Sequence, residues 1–215
     1  ELVVVDTAVA GYSTLIQDLA PGATVLEIGA GQDGFQVLAD ALAASGQTYD
    51  AIHIVSHGGE GQVQLGTNLL TAGSMGDYSA ALATLGSSLT TSGDLLLYGC
   101  EVGTGTGQAF VNDLAILTGA DVAASDDLTG AAAMGGDWDL EVVIGSVEAD
   151  APFSAQAMMD FSSVLALPNG IQNLAAGGST EERRGGRKAR SRDEGSRRQE
   201  DEAQQPVTPA LAYRE

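Results

Sequence analysis

The stretch AIHIVSHGG (residues 51–59) runs an apolar segment straight into a histidine and two glycines. Further on, GDLLLYGCEVG (93–103) repeats the arrangement, with the chain's only cysteine in the histidine's place. Nearly unbroken apolar runs of this length suit strands buried on both faces of a parallel sheet. Ligand sites in such sheets form beyond the carboxyl ends of the strands. Consecutive parallel strands joined by a helical crossover are usually neighbours, about 4.8 Å apart. His57 and Cys100 are therefore expected to border one cleft. Gly58 and Gly59 would let a substrate approach the backbone, and Gly99 would remove bulk beside the sulfur.

Outward from these two stretches, apolar strands alternate with helical spacing. ELVVVDTAV (1–9) predicts a first strand and GYSTLIQDLAPG (11–22) a helix stopped by Pro-Gly. ATVLEIGAG (23–31) predicts a strand, and DGFQVLADALAASG (33–46) a helix with an acidic start and a glycine stop. GQVQLGTNLLT (61–71) reads as a small hairpin, SMGDYSAALATLGSSL (74–89) and GTGQAFVNDLAILTG (105–119) as helices. ADVAASDD (120–127) reads as a strand ending in acids, and GDWDLEVVIGSVEA (136–149) as a closing strand or hairpin. The alternation predicts an α/β fold, a three-layer α/β/α sandwich with a mainly parallel sheet, over residues 1–150. Residues 151–167 read as a terminal amphipathic helix or the start of a linker. From Pro168 to Glu215 the composition changes abruptly and lacks apolar periodicity, which predicts a disordered tail. That tail reads as a foreign extension or a reading-frame artefact as readily as a native one.

Charge divides the chain at the same region. Residues 1–182 contain no Lys or Arg yet hold all but six of the 29 acidic residues, and the whole chain carries a formal charge of −20. With no cation to meet phosphate, the body is expected to bind neither nucleic acid nor anionic membranes. It suits a salty external medium and could attract calcium or basic peptides. No apolar segment is long enough for a membrane span. Without an initiator Met or a signal peptide, the chain reads as an excerpt from a longer protein.

The cysteine and histidine can be read two ways. A lone cysteine in an apolar segment is commonly inert core. A thiol just before a helix start has its thiolate favoured by the helix dipole, while an acidic body raises its pKa. Both residues falling on one sheet edge, each beside glycine, favours a Cys–His site. His53 and His57 do not make a zinc site, because i and i+4 on a strand lie about 13 Å apart. No metal ligand is assigned, although the Asp-rich loops leave calcium open as a structural partner.

The order HIVSHG (53–58) then LLLYGCEVG (95–103) resembles the caspase–haemoglobinase fold of caspases, legumains, gingipains and clostripains. YGCEVGTG (98–105) is similar to the legumain-type cysteine segment, and the separation of 43 residues suits the fold. AIHIVSHG, LLLYGC, TGADVAAS (118–125) and GGDWDLE (135–141) also resemble DUF4347, found near the N-termini of large bacterial secreted, adhesin-like proteins, over about residues 1–148. The resemblance implies Cys100 as nucleophile, His57 as acid/base, and the amides of Gly58 and Cys100 as the oxyanion hole. It places Asp6, and with it Asp126 and Asp127, where acids shape a specificity pocket, which implies cleavage after basic residues. The expected function is a cysteine endopeptidase module of a secreted or cell-surface bacterial protein. Its substrate would be a peptide or its own polypeptide, and its partners the other domains of its parent. The alternative is a catalytically inactive adhesion or export module.

Overall fold

The computed structural model describes residues 1–168, and the expected tail otherwise lies outside the described residues. Strands β1 (Leu2–Asp6), β2 (Thr24–Ile28), β3 (Tyr49–Val55), β7 (Leu89–Tyr98) and β8 (Asp121–Ala124) run parallel, and β9 (Val142–Ile144) closes one edge antiparallel. Their order is β2-β1-β3-β7-β8-β9. Helices α2 (Gly34–Ser45), α3 (Ser79–Ser87) and α4 (Gly107–Thr118) connect them. A short second sheet of β4 (Gly58–Gly59), β5 (Gln62–Leu65) and β6 (Asn68–Thr71) sits between β3 and α3 in sequence.

Side-chain alternation along the strands sorts the core into two clusters. Val4, Ile52, Ile54, Leu95 and Leu97 pack with Leu38 of α2, Leu85 of α3 and Leu114 of α4. Val3, Val5, Ala51, Val55, Leu96 and Tyr98 face the other way, onto Leu15, Phe153, Phe161 and Leu165. The first helix is cut to α1 (Tyr12–Leu15), which starts at a left-handed Gly11. The chain instead turns at residues 16–22, where Leu19 bridges to Phe153. By contrast α2 has the ends its sequence announced: the Asp33 carboxylate accepts the Gln36 amide, and left-handed Gly46 ends the helix.

Residues 151–167 are no linker. They form α5 (Ala155–Asp160), capped by the Ser154 hydroxyl, and an extended segment that buries Phe161, Leu165 and Leu167 in the body. Apolar burial of about 25 cal/mol per Å2 makes such a segment an integral layer, so the domain boundary lies beyond residue 150. With α1 and α5 on this face and α2–α4 on the other, the fold is the three-layer α/β/α sandwich.

Candidate active site

His57 and Cys100 end adjacent parallel strands at the same level. Val55 pairs with Tyr98, and each candidate lies two residues beyond its member of that pair. The two turns pack so tightly that only glycine fits. A Cβ on Gly58 would come within 2.9 Å of the Cys100 carbonyl oxygen, and one on Gly99 within 3.1 Å of the Gly58 Cα. The loops are also laced together: the Gly61 amide donates to the Val102 carbonyl, and the Glu60 carboxylate accepts from the Thr106 amide and hydroxyl. Those bonds from Thr106 hold the Glu60 carboxyl below its usual range.

Cys100 is fully buried. Its thiol donates to the Thr129 carbonyl oxygen over 3.6 Å. Burial pushes the thiol up to about 11, against the smaller opposing effect of its hydrogen-bonding backbone neighbours. Cys100 does not itself cap a helix: α4 does not begin until Gly107, and its N-cap Thr106 donates to Glu60. Glu101, directly after the cysteine, has φ of 60°, the only left-handed non-glycine among the described residues. Such a conformation costs on the order of 1–3 kcal/mol and persists where surrounding structure enforces it. Here the Glu101 amide is held by the Asp127 carbonyl at 2.7 Å.

His57 is half-buried, and its Nδ1 is buried without a hydrogen-bond partner. Ser56 Oγ and Thr129 Oγ1 are likewise buried and unpartnered. The amides of Gly58 and Cys100 converge on a single acceptor, the carbonyl oxygen of Leu165, at 2.8 and 3.2 Å. Two amides from two strand ends aimed at one oxygen have the geometry of an oxyanion hole.

Among the described residues no acidic side chain is hydrogen-bonded to His57 or Cys100, although the charges of Glu101 and Asp127 add to the rise of the thiol. Asp6 is buried, but Oδ1 accepts the Ala8 amide and Oδ2 the Gly66 amide, tying β1 to the β5–β6 turn. Its carboxylate is a structural staple, not a free charge for a substrate. Asp126 and Asp127 are exposed, and with Glu141 they offer three oxygens within 4.8 Å of one another, able to hold a cation such as calcium. Burial and the neighbouring carboxylates raise the Asp127 carboxyl. At the opposite end of the strands Asp94, Asp121 and Glu148 make a second such group. There Asp94 Oδ2 accepts the Glu148 and Ala149 amides while Oδ1 is buried and unpartnered.

His53 is buried, and neither ring nitrogen has a hydrogen-bond partner. It stacks beside Tyr98, and burial chiefly lowers it to about 4. Three residues of the site escaped sequence reading: Ser56, Thr129 and Leu165. The one signal in the sequence was the cluster of apolar residues Val164, Leu165, Ala166 and Leu167 just before Pro168, too short for a helix. No described helix is long and apolar enough to cross a membrane.

No curated protein and no solved structure matches the chain. The model of the domain of unknown function DUF4347 matches residues 2–165, most of the chain, and the chain belongs to that family.

Proposed function

We propose that this domain is a cysteine endopeptidase module in which Cys100 attacks a peptide carbonyl and His57 moves the proton. The observation that carries the reading is the convergence of the Gly58 and Cys100 amides on one carbonyl oxygen, beside the only thiol of the chain. Preorganised donors of this kind stabilise the charge that develops on a tetrahedral intermediate, and losing one costs about 100- to 1,000-fold in rate. His57 ends the strand next to that of Cys100, and its buried Nδ1 is not engaged by any other hydrogen bond. The body's acidity and lack of Lys and Arg support work outside the cell, at the surface or secreted, within a larger bacterial protein. Calcium at the exposed carboxylates would serve stability.

The experiment is a panel of peptides varying the residue before the scissile bond, incubated with the full chain and with Cys100→Ala as blank. Cys100-dependent cleavage of any member supports the reading, and its absence with and without calcium rejects it. A second reading, an inactive adhesion or export module, is favoured by one feature: the thiol is sealed, protonated and bonded to Thr129. A peptidyl electrophile distinguishes the two. Adduct formation on Cys100 of folded protein supports the enzyme, and modification only on unfolding supports the inert module.

A further inference from the structure

We propose that the segment Ser163–Leu167 is the site's own substrate and that Cys100 cleaves the bond between Leu165 and Ala166. The proposal rests on the peptidase reading and adds to it the bond and the side chain selected. Many buried leucines are core and nothing more. What distinguishes Leu165 is its carbonyl, which takes the Gly58 and Cys100 amides at 2.8 and 3.2 Å, close to the distances oxyanion donors keep.

The main chain is gripped on both sides of that carbonyl. Upstream, the Ala131 amide donates to the Ser163 carbonyl and the Leu165 amide to Thr129 O. Downstream, the Leu167 amide donates to the Gly58 carbonyl, so that Ala166 pairs with Gly58 as a parallel bridge. An extended peptide gripped through its backbone, with alternate side chains in pockets, is a general mode of peptide recognition. Thr129 O accepts both the Leu165 amide and the Cys100 thiol, which sets the sulfur beside the same residue. The Leu165 side chain is fully buried with Val5, Val55, Tyr98 and Phe161. Selection is therefore for an aliphatic residue before the scissile bond, in place of the basic residue that the strand-end acids implied.

In the reaction His57 takes the thiol proton, and the sulfur bonds to the Leu165 carbonyl carbon while the oxyanion rests on the Gly58 and Cys100 amides. The carbon–nitrogen bond to Ala166 breaks as the imidazolium returns the proton to the departing amine. Water then adds to the thioester, giving its proton to His57, and the sulfur leaves to be reprotonated. The products are a chain ending in a Leu165 carboxylate and a new amino terminus at Ala166. The protonated, enclosed thiol makes the uncut chain a dormant form with its substrate already seated.

The full chain, incubated from pH 6 to 10 with and without calcium, tests this by intact mass and amino-terminal sequencing. A new terminus at Ala166, at least 100-fold slower in Cys100→Ala, is the expected result. Leu165→Asp should slow it at least 10-fold, since a carboxylate would enter an apolar pocket, and Leu165→Met should keep it. Circular dichroism on both variants separates loss of cleavage from loss of fold. Cys100-dependent cleavage at another bond, or only of added peptides, overturns the proposed bond and leaves the peptidase standing. A chain left uncut under every condition overturns the proposal, and if added peptides also survive, the peptidase reading falls with it.

Discussion

On one face of the sheet three helices lay regular apolar stripes over Val4, Ile54, Leu95 and Leu97. On the other, two short helices and an extended tail end cover Val5, Val55, Tyr98 and Cys100. The first cover is periodic and made by the crossover connections themselves. The second is completed only at the end of the domain, by α5 and the segment after it, which brings backbone groups that pair with the strand-end loops. Both faces exclude water, but only the second places a main-chain carbonyl on the amides beside the thiol. A face covered by crossover helices serves packing alone, whereas one covered by a separable segment can also serve as a site.

The comparison breaks most visibly if that segment is removed. Ending the chain after Asp160 strips Phe161, Leu165 and Leu167 from the core, and should cost more than about 5 kcal/mol in urea unfolding. A near-native midpoint would show the segment to be a loose strap. A sharper contrast sets Leu97→Ala against Leu165→Ala. Each should lose about 2–5 kcal/mol, but only Leu165→Ala should speed thiol labelling of the folded protein. Equal labelling rates would erase the functional difference between the faces.

Protons should separate the faces as well. His53, beneath the second face, binds its proton only near pH 4 when folded and near 6.5 when unfolded. A base whose folded pKa is depressed favours the unfolded state as pH falls through this window. About 3 kcal/mol of stability should then be lost between pH 6.5 and 4, and His53→Phe should recover part of it. An identical acid profile in that variant would show that carboxylates alone set the loss. Cys100 works at the other end: its folded pKa is raised from 9.0 to about 11, so its contribution is present below pH 9 and lost as pH climbs toward 11. Cys100→Ala should flatten that alkaline fall. The smallest effect belongs to the helical face, where Asp33→Ala removes one cap of α2 and should cost about 1 kcal/mol by thermal unfolding.

The helical face was legible because its signals are local. Asp33 and Gly46 mark the ends of α2, and the apolar spacing of GFQVLADALAAS is its stripe. The strand ends were legible for the same reason, since His57 and Cys100 each follow an apolar run beside glycine. What could not be read were contacts between residues distant in the chain. Nothing near Asp6 announces that Gly66 will claim its second carboxylate oxygen. Nothing near Leu165 announces that Gly58 and Cys100 will donate to it, because backbone donors are the same in every residue but proline. The helix expected over 11–22 shrank to one turn because tertiary pairing of Leu19 with Phe153 overrode local spacing.

The only tryptophan, Trp138, stands half-buried against Phe153 and Phe161, with ring centroids 5.3 and 5.4 Å away. Both phenylalanines flank α5, so the indole lies against the chain that leads into residues 163–167. The molecule thus carries its own optical gauge: emission from Trp138 reads whether that chain is docked, without a dye and without interference from the helical face. Displacement of the segment would shift the emission to longer wavelength while far-ultraviolet ellipticity, dominated by α2–α4 and the sheet, stayed nearly constant. A single cuvette could then follow opening of the site separately from unfolding of the protein.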